Sequence, residues 1–383
     1  MSPAERVQFR LGDVTVSHDS RRRPVKSTER RYGPYPYYGA SGIVDYVDSF
    51  IFDGLHLLVA EDGENLRSRN TPVAFLADGQ FWVNNHAHVL RGNSHGDTRY
   101  LAYAVEQLDL SRYLTGSTQP KLTKSALDSV TLDLPHLAEQ QAIAEVLGAL
   151  DDKIAANTAL ASSADLMLAA EFRARLHRTG SRDKTLAAMA NVVLGGTPSR
   201  ARLDYWINGT IPWLNSGAVN ATRIVEPSEF ITPEALASSS AKLMPVGATL
   251  LAITGATLGQ IARLEMSASG NQSIVGVWSD DVDVNTWLYF AIEWRRDDLL
   301  ARATGAAQQH VSKGDVEQLA VPVPSQSVLK EFAGIATPVL EIAAIAEREN
   351  RTLAATRDAL LPQLMSGKLR VRDAEAAASE AGV

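Results

Sequence analysis

The sequence predicts an α+β protein with two similar mixed α/β domains separated by two long helices that pair with each other within the chain. The first observation is a repeated motif, T-G-x-x-Q-x-x-[L/V]-[T/S]-K, at residues 115–124 and 304–313. The second is that each copy is followed by an alternating strand-like run, a proline and a long helical segment. A repeat this long that occurs only twice indicates two tandem domains rather than a solenoid, whose units are far shorter.

The two helical segments carry apolar residues at alternating spacings of four and three. This stripe covers residues 143–168 in the first segment and 332–360 in the second, and such a heptad-like pattern is typical of a coiled coil. About 40 residues form a rod of roughly 60 Å, which cannot bury the stripe alone. The nearest partner is the other copy, although two amphipathic helices that each pack on their own domain give a similar pattern. Asn157 and Glu349 interrupt the stripes, and polar residues at such positions usually fix the register of the pair.

The repeat also predicts where one part of the chain ends and the next begins. The predicted segments are a first domain at 1–137, a long helix at 138–179, a second domain at 180–325, a long helix at 326–367 and a C-terminal tail at 368–383. Pro338 lies inside the second helix and is expected to kink or restart it. The Ala- and Glu-rich stretch from Asp373 onward is expected to be disordered.

Composition limits the possible classes of protein. The length of 383 residues suits two or three domains. The absence of cysteine excludes disulfides, thiolate zinc sites and a cysteine nucleophile, and it fits the reducing cytoplasm. No apolar run has the length of a membrane span, and the N-terminus lacks a signal-peptide core. The net charge of −7 is opposite to the basic face of a nucleic-acid-binding protein, but charge can be segregated, so it says little about a local patch.

The first domain contains the densest basic cluster of the chain, Arg21, Arg22, Arg23 and Lys26, with Arg30 and Arg31 close behind. Such a loop can contact phosphates, and a solvated charged loop without a ligand gives the same pattern. Tyr37 and Tyr38 follow within an aromatic stretch that also contains Gly and Ser. Aromatic residues beside a basic loop can stack on bases, but turn and core positions also use them.

Three further features of the first domain carry predictions. Residues 51–60 read as two short strands around Asp53-Gly54, a hairpin signal. His86 and His88 lie at a strand spacing of two, which would place both on one face as possible metal ligands, but no third ligand is evident. Residues 101–106 read as a short helix.

The second domain repeats this plan with different residues. Residues 247–253 read as a buried strand after a turn, and residues 254–259 as a connection between strands, since they lack the ending and spacing of a phosphate loop. Asn271-Gln272 is placed where Asn85-His86 stands in the first domain, and residues 288–293 echo residues 101–106. Divergent central parts on a shared frame suggest that the two domains recognise two different things.

The sequence contains none of the familiar catalytic motifs. Methyltransferase N/D-P-P-Y, dinucleotide G-x-G-x-x-G, Walker, G-x-S-x-G and H-E-x-x-H signatures are all absent. The residues therefore indicate a binding protein with two similar heads on an internal spacer. Two other classes stay open: a scaffold whose helices bind only protein and whose heads have lost DNA binding, and a nuclease or methyltransferase in its own right.

At this point the chain resembles the specificity subunit of type I restriction–modification systems over nearly its whole length. The residues that carry the resemblance are 35–43 with 52–54 in the first domain, 196–199 with 205–206 and 211–213 in the second, both T-G-x-x-Q motifs, 151–154 with Asn157 in the first helix and 357–367 in the second. No single motif is specific, but their order and duplication are. His310, which stands where the first motif has Lys121, and Pro338 depart from the pattern.

The resemblance implies that each domain is a target-recognition domain for one half of a bipartite, gapped DNA sequence. It implies that the helices form an intramolecular antiparallel coiled coil, which sets the spacing of the half-sites and docks two methyltransferase subunits, with restriction–translocase subunits joining the complex. The chain itself would be non-catalytic and hold no cofactor, since S-adenosylmethionine, ATP and Mg²⁺ would bind the partner subunits.

Arg and Lys suit guanine, and Asn and Gln suit adenine, in the major groove. The residues predicted to contact DNA in the first domain are Arg21, Arg22, Arg23 and Lys26 on phosphate, with Tyr37, Tyr38, Gln119, Lys121 and Lys124 near the half-site. Those predicted in the second domain are Thr197, Ser199, Arg200, Trp213, Asn215, Gln308, Gln309 and Lys313. No catalytic or metal-binding residue is predicted.

Overall fold

A computed structural model describes residues 6–305 and 309–383. The chain divides into two compact units, Met1–Ile154 with Thr352–Val383, and Ala155–Arg351. The first unit contains the first head (residues 6–134), and the second unit contains the second head (residues 182–305 and 309–323). Both long helices contribute to both units.

The elements up to the end of the first long helix follow in chain order. They are β1 (Val7–Arg10), α1 (Leu11–Val14), β2 (Thr15–Ser17), β3 (Tyr35–Gly39), β4 (Gly42–Val47), β5 (Phe52–Asp53), β6 (His56–Ala60), α2 (Asn65–Ser68), β7 (Ala74–Ala77), β8 (Gln80–Val83), β9 (Ala87–Gly92), α3 (Thr98–Glu106), α4 (Lys124–Asp128), β10 (Thr131–Leu134) and α5 (Leu137–Thr179).

The remaining elements run to the C-terminus. They are β11 (Arg182–Thr185), β12 (Asn191–Leu194), β13 (Ile211–Leu214), β14 (Arg223–Ile224), β15 (Glu229–Ile231), α6 (Pro233–Ser238), β16 (Thr249–Ala252), β17 (Ile261–Leu264), β18 (Ser269–Gly270), β19 (Ile274–Trp278), α7 (Val282–Trp294), α8 (Arg296–Leu300), α9 (Lys313–Glu317), β20 (Ala320–Val323), α10 (Gln326–Met365) and α11 (Val371–Glu380).

The two heads share one strand order apart from one edge strand in each, β5 in the first head and β14 in the second. The first head has a larger sheet β2-β9-β6-β7, a smaller sheet β4-β3-β8-β5 and the pair β1-β10. The second head has a larger sheet β12-β19-β16-β17-β14, a smaller sheet β15-β13-β18 and the pair β11-β20. In both smaller sheets the central strand pairs antiparallel with one neighbour and parallel with the other. The repeat in the sequence is therefore a repeat of topology.

The T-G-x-x-Q motif forms the same structure twice. Thr115 bridges Lys121 in the first head, and Thr304 bridges His310 in the second. A threonine or serine side chain then caps α4 or α9, accepting a hydrogen bond from the backbone N–H of Ala126 or Asp315. Each helix leads into the last strand of its head, so His310 occupies the position of Lys121 without changing the turn.

The helices α5 and α10 pair antiparallel. In the first unit, Arg357 Nη1 lies 2.7 Å from Asp151 Oδ1, and Leu150 and Leu353 lie in the same apolar core. In the second unit, Asn157 Nδ2 donates to Glu349 Oε2 at 2.7 Å. The two polar interruptions predicted from the sequence therefore face each other, which offsets the cost of burying the Asn157 side chain.

Two predictions about the C-terminal part of the chain are wrong. Pro338 does not end or restart α10, which is continuous over 40 residues, whereas a kink at Pro338 stays a prediction. Pro338 and Gly334 are both exposed, so the Gly334 carbonyl that loses its amide partner faces water. The stretch after Asp373 is not disordered but forms most of α11. Alanine is the strongest helix former, and the spacing of four puts Ala374 and Ala378 on one buried face of this helix.

The predicted hairpin at residues 51–60 is also wrong. The strand β5 pairs with β8 in the smaller sheet, whereas β6 pairs with β7 and β9 in the larger sheet. The predicted helix at residues 101–106 and the buried strand at residues 247–253 are confirmed as α3 and β16. In the part of the chain that the structure describes, no helix has the length and apolar character needed to cross a membrane.

Candidate nucleic-acid interface

A basic loop lies against the smaller sheet of the first head. Residues 18–34 contain six Lys and Arg but only two Asp and Glu. Arg21 donates from Nη2 to the Ile51 carbonyl at 2.5 Å, and its guanidinium lies 4.8 Å from the centre of the Phe52 ring. Trp82 Nε1 donates to the Arg23 carbonyl at 2.6 Å. The loop is therefore attached to the sheet, and the Arg21, Arg23 and Lys26 side chains are exposed.

Arg22 differs from its neighbours because it is engaged in the fold. Its Nη1 lies 2.6 Å from Glu61 Oε2 and donates to the Ala87 carbonyl at 2.8 Å. Its side chain is 15% exposed. This guanidinium already pairs with a partly buried carboxylate, and the predicted contact of Arg22 with phosphate stays a prediction.

Arg22 belongs to an ionic network behind the loop. His88 is buried, and its Nδ1 lies 2.6 Å from Asp19 Oδ2 while its Nε2 lies 2.8 Å from the Leu122 carbonyl. Burial alone raises the pKa of Asp19, but hydrogen bonds from His88 and from the Val89 amide outweigh it and hold this pKa below its usual value. Lys121 Nζ lies 3.2 Å from Glu61 Oε1. The network thus connects the basic loop with the T-G-x-x-Q motif.

The two tyrosines predicted to face DNA lie against the protein. Tyr37 is buried, and its hydroxyl accepts a hydrogen bond from the Val25 amide at 2.9 Å. Stacking of Tyr37 on a base is therefore excluded in this structure, since the ring lies in the core of the smaller sheet. Tyr38 is half-buried, and its ring centre lies 5.6 Å from that of Phe81.

The polar residues of the first T-G-x-x-Q motif are more accessible. Gln119 and Lys121 are exposed. Lys124 is half-buried and lies 2.5 Å from Asp128 across one helical turn. Gln119 is therefore accessible, and Lys121 is accessible although it pairs with Glu61 at 3.2 Å, whereas Lys124 is both half-buried and paired.

Three of the predicted residues of the second head, Thr197, Ser199 and Arg200, lie in the equivalent loop, residues 195–210. Thr197 Oγ1 donates to Gln272 Oε1 at 2.6 Å. Arg200 forms a two-pronged ion pair with Glu229, both nitrogen–oxygen distances being 2.7 Å, and lies 3.6 Å from the Trp206 ring centre. These hydrogen bonds hold the pKa of Glu229 below its usual value. Ser199 and Asn215 are exposed.

Trp213 is buried like Tyr37, and it occupies the equivalent place. Each is paired in register with the strand that runs parallel to it, Tyr37 with Trp82 and Trp213 with Ser269. Trp213 Nε1 donates to the Gly196 carbonyl at 3.2 Å, so direct contact of this ring with a base is also excluded in this structure. Gln309 is exposed and Lys313 pairs with Glu317 at 2.9 Å. Gln308 lies outside the described residues.

The sequence comparison of the two heads was shifted by one residue. Asn84 Oδ1 accepts from the His86 amide, and Asn271 Oδ1 accepts from the Ser273 amide. Asn271 is therefore equivalent to Asn84 and not to Asn85. The same asparagine turn precedes β9 and β19. The Asn two residues before His86 and before Ser273 was the sequence signal for the correct alignment.

The two histidines do not share a face. His86 lies before β9 and is exposed, with Nδ1 2.9 Å from Asp62, whereas His88 is buried within the strand. Among residues 6–305 and 309–383, no group of three His, Cys, Asp or Glu side chains could hold a metal ion.

Sequence reasoning did not single out Asp45 in the first head or Glu229 in the second, and it named Arg30 only as part of the basic cluster. Arg30 Nη1 lies 3.0 Å from Asp45 Oδ2, and its guanidinium lies 4.4 Å from the Tyr37 ring centre. The hydrogen bond from Arg30 lowers the pKa of Asp45. A cation placed before an aromatic strand was the available signal, but only the strand register brings the acid beside it.

Two heads of equal topology, each with a cation-bearing loop over its smaller sheet and both built on one antiparallel helix pair, define a two-headed recognition protein. Comparison with known proteins gives the family. Residues 3–163 and 180–354 match the model described as "Type I restriction modification DNA specificity domain". The chain belongs to this family.

Individual relatives agree with this assignment. A Haemophilus influenzae protein that bears the name of a type I restriction enzyme specificity subunit is 36% identical over 140 residues, which cover 37% of this chain and 36% of that protein. The chain thus spans about a third of the length of that relative. The MjaIX specificity subunit of Methanocaldococcus jannaschii is 24% identical over 306 residues, covering 72% of this chain and 70% of that protein.

A solved structure has the same fold. The crystal structure of a type I restriction–modification S subunit from M. genitalium matches with a TM-score of 0.69 and 15% identity, covering 95% of this chain and 97% of that one. At this identity the likeness concerns the fold alone.

Proposed function

We propose that this chain is the DNA-recognition subunit of a type I restriction–modification complex, in which each head reads one half of a bipartite, gapped target. The observation that carries the proposal is the pair of heads with one strand order and different loop chemistry. The equivalent loops contain six Lys and Arg with two acids in the first head, but two arginines with one acid in the second. One scaffold that presents two different surfaces suits the recognition of two different half-sites.

The proposed DNA-contacting residues are those predicted residues whose side chains remain accessible. In the first head they are Arg21, Arg23, Lys26, Gln119 and Lys121, with the half-buried Tyr38 and Lys124 at the margin. In the second head they are Thr197, Ser199, Arg200, Asn215, Gln309 and Lys313. Gln308 lies outside the described residues and stays a predicted contact. The exposed cations of the first loop would contact phosphate, because such contacts need charge but little rigidity.

The helix pair is proposed to set the distance between half-sites and to dock two methyltransferase subunits, with restriction–translocase subunits joining the complex. The proposed domain boundaries remain 1–137, 138–179, 180–325, 326–367 and 368–383. Joining two weak half-site contacts through a fixed spacer makes the second contact intramolecular, so only targets with the correct gap bind tightly.

The chain is proposed to be non-catalytic. In this proposal S-adenosylmethionine, ATP and Mg²⁺ bind only the partner subunits, and the heads contribute affinity and sequence choice. Incubation of the purified chain with target DNA and S-adenosylmethionine, or with Mg²⁺, tests this point. Methylation or cleavage by the isolated chain would contradict it.

Methylome sequencing of the native host with and without this gene tests the main proposal. We expect deletion to abolish methylation at one asymmetric, gapped adenine-methylation motif, and this motif gives both half-sites together. An unchanged methylome contradicts the proposal and favours the alternative, a scaffold with heads that no longer bind DNA. Salt-dependent retention of the complex on DNA would argue against that alternative.

A further inference from the structure

Both heads contain the same three-part arrangement of arginine, aromatic ring and carboxylate. In the first head Arg30 lies 4.4 Å from the Tyr37 ring centre and pairs with Asp45. In the second head Arg200 lies 5.0 Å from the Trp213 ring centre and pairs with Glu229. The arginine comes each time from the loop before the central strand of the smaller sheet.

Strand register shows that the arrangement is equivalent in the two heads. Asp45 lies directly across from Tyr37 on the antiparallel neighbour, and Glu229 lies directly across from Trp213 on its antiparallel neighbour. The aromatic residues are themselves equivalent, as their parallel pairing shows. The two loops share no sequence pattern around Arg30 and Arg200, so the arrangement has been built from different loop sequences.

The arrangement fixes each guanidinium but leaves part of it open. Within the described residues, Nη2 of Arg30 makes no hydrogen bond, while Nε donates to the Val25 carbonyl at 3.0 Å and Nη1 to Asp45. Arg200 uses Nη1 and Nη2 on Glu229, and its Nε has no partner in the same part of the chain. Arg200 is exposed, with 52% of its side chain accessible, whereas Arg30 is half-buried, with 20% of its side chain accessible.

Stability alone does not account for this arrangement, because exposed ion pairs contribute little to it. What a carboxylate and an aromatic face do achieve is to restrict the arginine to one orientation before a ligand binds. A phosphate contact needs no such restriction, and the exposed Arg23 and Lys26 supply freer cations in the first head. A rigid guanidinium with a free edge suits the paired acceptors O6 and N7 of guanine.

We infer that Arg30 and Arg200 are base-reading residues, each recognising one guanine in the half-site of its own head, and that Asp45 and Glu229 are their positioning residues. The inference rests on the proposed function. It requires each half-site to contain at least one G·C pair, one read through Arg30 and the other through Arg200.

The test uses methylomes of the native host carrying the full-length chain with single substitutions. The wild-type methylome comes first, because failure to find any motif defeats the proposed function rather than this inference. Arg200→Lys keeps the charge but loses the planar fork. We expect one base pair of one half-site to lose its guanine requirement, discrimination falling roughly 5- to 150-fold as for a lost bidentate contact. Arg30→Lys should relax one base pair of the other half-site.

Matched controls are Arg31→Lys and Arg202→Lys in the same two loops. Arg31 is exposed, and Arg202 pairs with Asp204 and stacks on Tyr205 without a counterpart in the first head. Both controls should leave every position of the motif unchanged. Asp45→Asn and Glu229→Gln should relax the same base pairs as the arginine variants but less strongly, a change that a merely structural role would not produce. Thermal unfolding of each purified variant verifies that the chain is folded.

Four outcomes overturn the inference. The first is a half-site without any G·C pair. The second is uniformly weaker methylation with an unchanged motif, which indicates a phosphate contact. The third is relaxation of the same half-site by Arg30→Lys and Arg200→Lys. The fourth is an unchanged motif with a lowered unfolding temperature, which indicates a structural role.

Discussion

The two heads solve the same packing problem with opposite chemistry. Strand register and the shared hydrogen bonds of the larger sheets make four pairs of positions equivalent. The pairs are Asp19 and Leu194, Glu61 and Ile253, His88 and Val275, and Lys121 and His310. The first head is ionic at these positions, whereas Ile253 and Val275 are part of the apolar core of the second.

This comparison separates what defines the fold from what varies on it. The strand order, the motif turns and the caps recur in both heads, while a buried cluster of charges exchanges for aliphatic residues. An ionic cluster and an apolar one can be nearly equal in free energy, provided that every charge keeps its partner. Removal of one partner is costly, because the charge that remains is partly buried and unpaired. A single substitution in the ionic cluster should therefore lower the stability of the first head, and a combined substitution should recover it.

The largest effect is expected from Glu61→Ile, which places the residue of the second head into the network of the first. Arg22 loses its ion pair at 2.6 Å and keeps only the longer one with Asp19 at 3.4 Å, and Lys121 loses its ion pair at 3.2 Å. We expect the free energy of unfolding of the first unit to fall by about 3 kcal/mol. Hydrogen exchange measured on β6 and on β16 separates the two heads, and β16 should keep its protection. Glu64→Ile, at an exposed acid of the same head, is the control and should change stability by less than about 0.5 kcal/mol.

Replacing the whole ionic cluster by the apolar residues of the second head should recover most of the lost unfolding free energy. The combined variant introduces Asp19→Leu, Glu61→Ile and His88→Val from the equivalent positions and removes the remaining partly buried cation with Arg22→Thr, which leaves no buried charge of the network unpaired. We expect an unfolding free energy within about 1 kcal/mol of the wild-type value, because apolar replacement of a complete ionic cluster is often neutral or stabilising. Urea unfolding measures it. A combined variant that is less stable than Glu61→Ile alone would show that the two heads are not interchangeable at this site.

The long helices extend the comparison, since their stripe is apolar in the first unit and polar at one place in the second. Asn157 is 6% exposed and donates to Glu349. We expect Asn157→Ala to lower the unfolding free energy of the second unit by about 1–2 kcal/mol, the usual cost of a lost buried hydrogen bond. The double variant Asn157→Leu with Glu349→Leu should be at least as stable as wild type. Denaturant unfolding of all three proteins decides it, and a double variant weaker than Asn157→Ala would contradict the pairing.

What the sequence could predict follows from the range of the interactions concerned. The repeated motif, the heptad stripes and the short helix at residues 101–106 are local patterns, so the duplicated domains and paired helices were predictable. Tyr37 and Trp213 were predicted to contact DNA because the sequence pattern of an aromatic residue beside a basic loop is the same for buried and exposed side chains. The network of Asp19, Glu61 and His88 joins residues that lie far apart in sequence, and no local pattern reveals such partners.

Two errors have a different physical origin. Pro338 carries a local penalty that an exposed helix face and tertiary packing overcome. The Ala-rich C-terminus looked disordered because its composition is low in large apolar residues, yet the small Ala374 and Ala378 fit a close-packed face. The pairing of Arg30 with Asp45 was missed because only the register of β3 and β4 brings Asp45 beside Tyr37 and Arg30.

The smallest expected effect is a difference between the two heads in how their stability depends on pH. The partners of Asp19 and Glu61 hold the pKa of both carboxyls below their usual values, against the opposing effect of burial. Their stabilisation is therefore complete above the ordinary carboxyl pKa and is lost as the pH falls below about 4. Glu293 in the second unit has the opposite shift, because burial raises the pKa of its carboxyl. Protonation of Glu293 then favours the folded state as the pH falls.

We therefore expect acidification from pH 6 to 3 to lower the protection of β6 amides more than that of β16 amides, measured by hydrogen exchange corrected for intrinsic rate. Other carboxyls with lowered pKa in both units, such as Asp45 and Glu229, are exposed and weakly coupled to stability. Glu293→Gln removes the stabilisation that the second unit gains when Glu293 is protonated. This variant should therefore reduce the difference in acid-induced loss of protection between the two heads. The combined apolar variant of the first head should narrow it from the other side. If neither variant changes the difference, the acid response of the heads does not arise from these carboxyls.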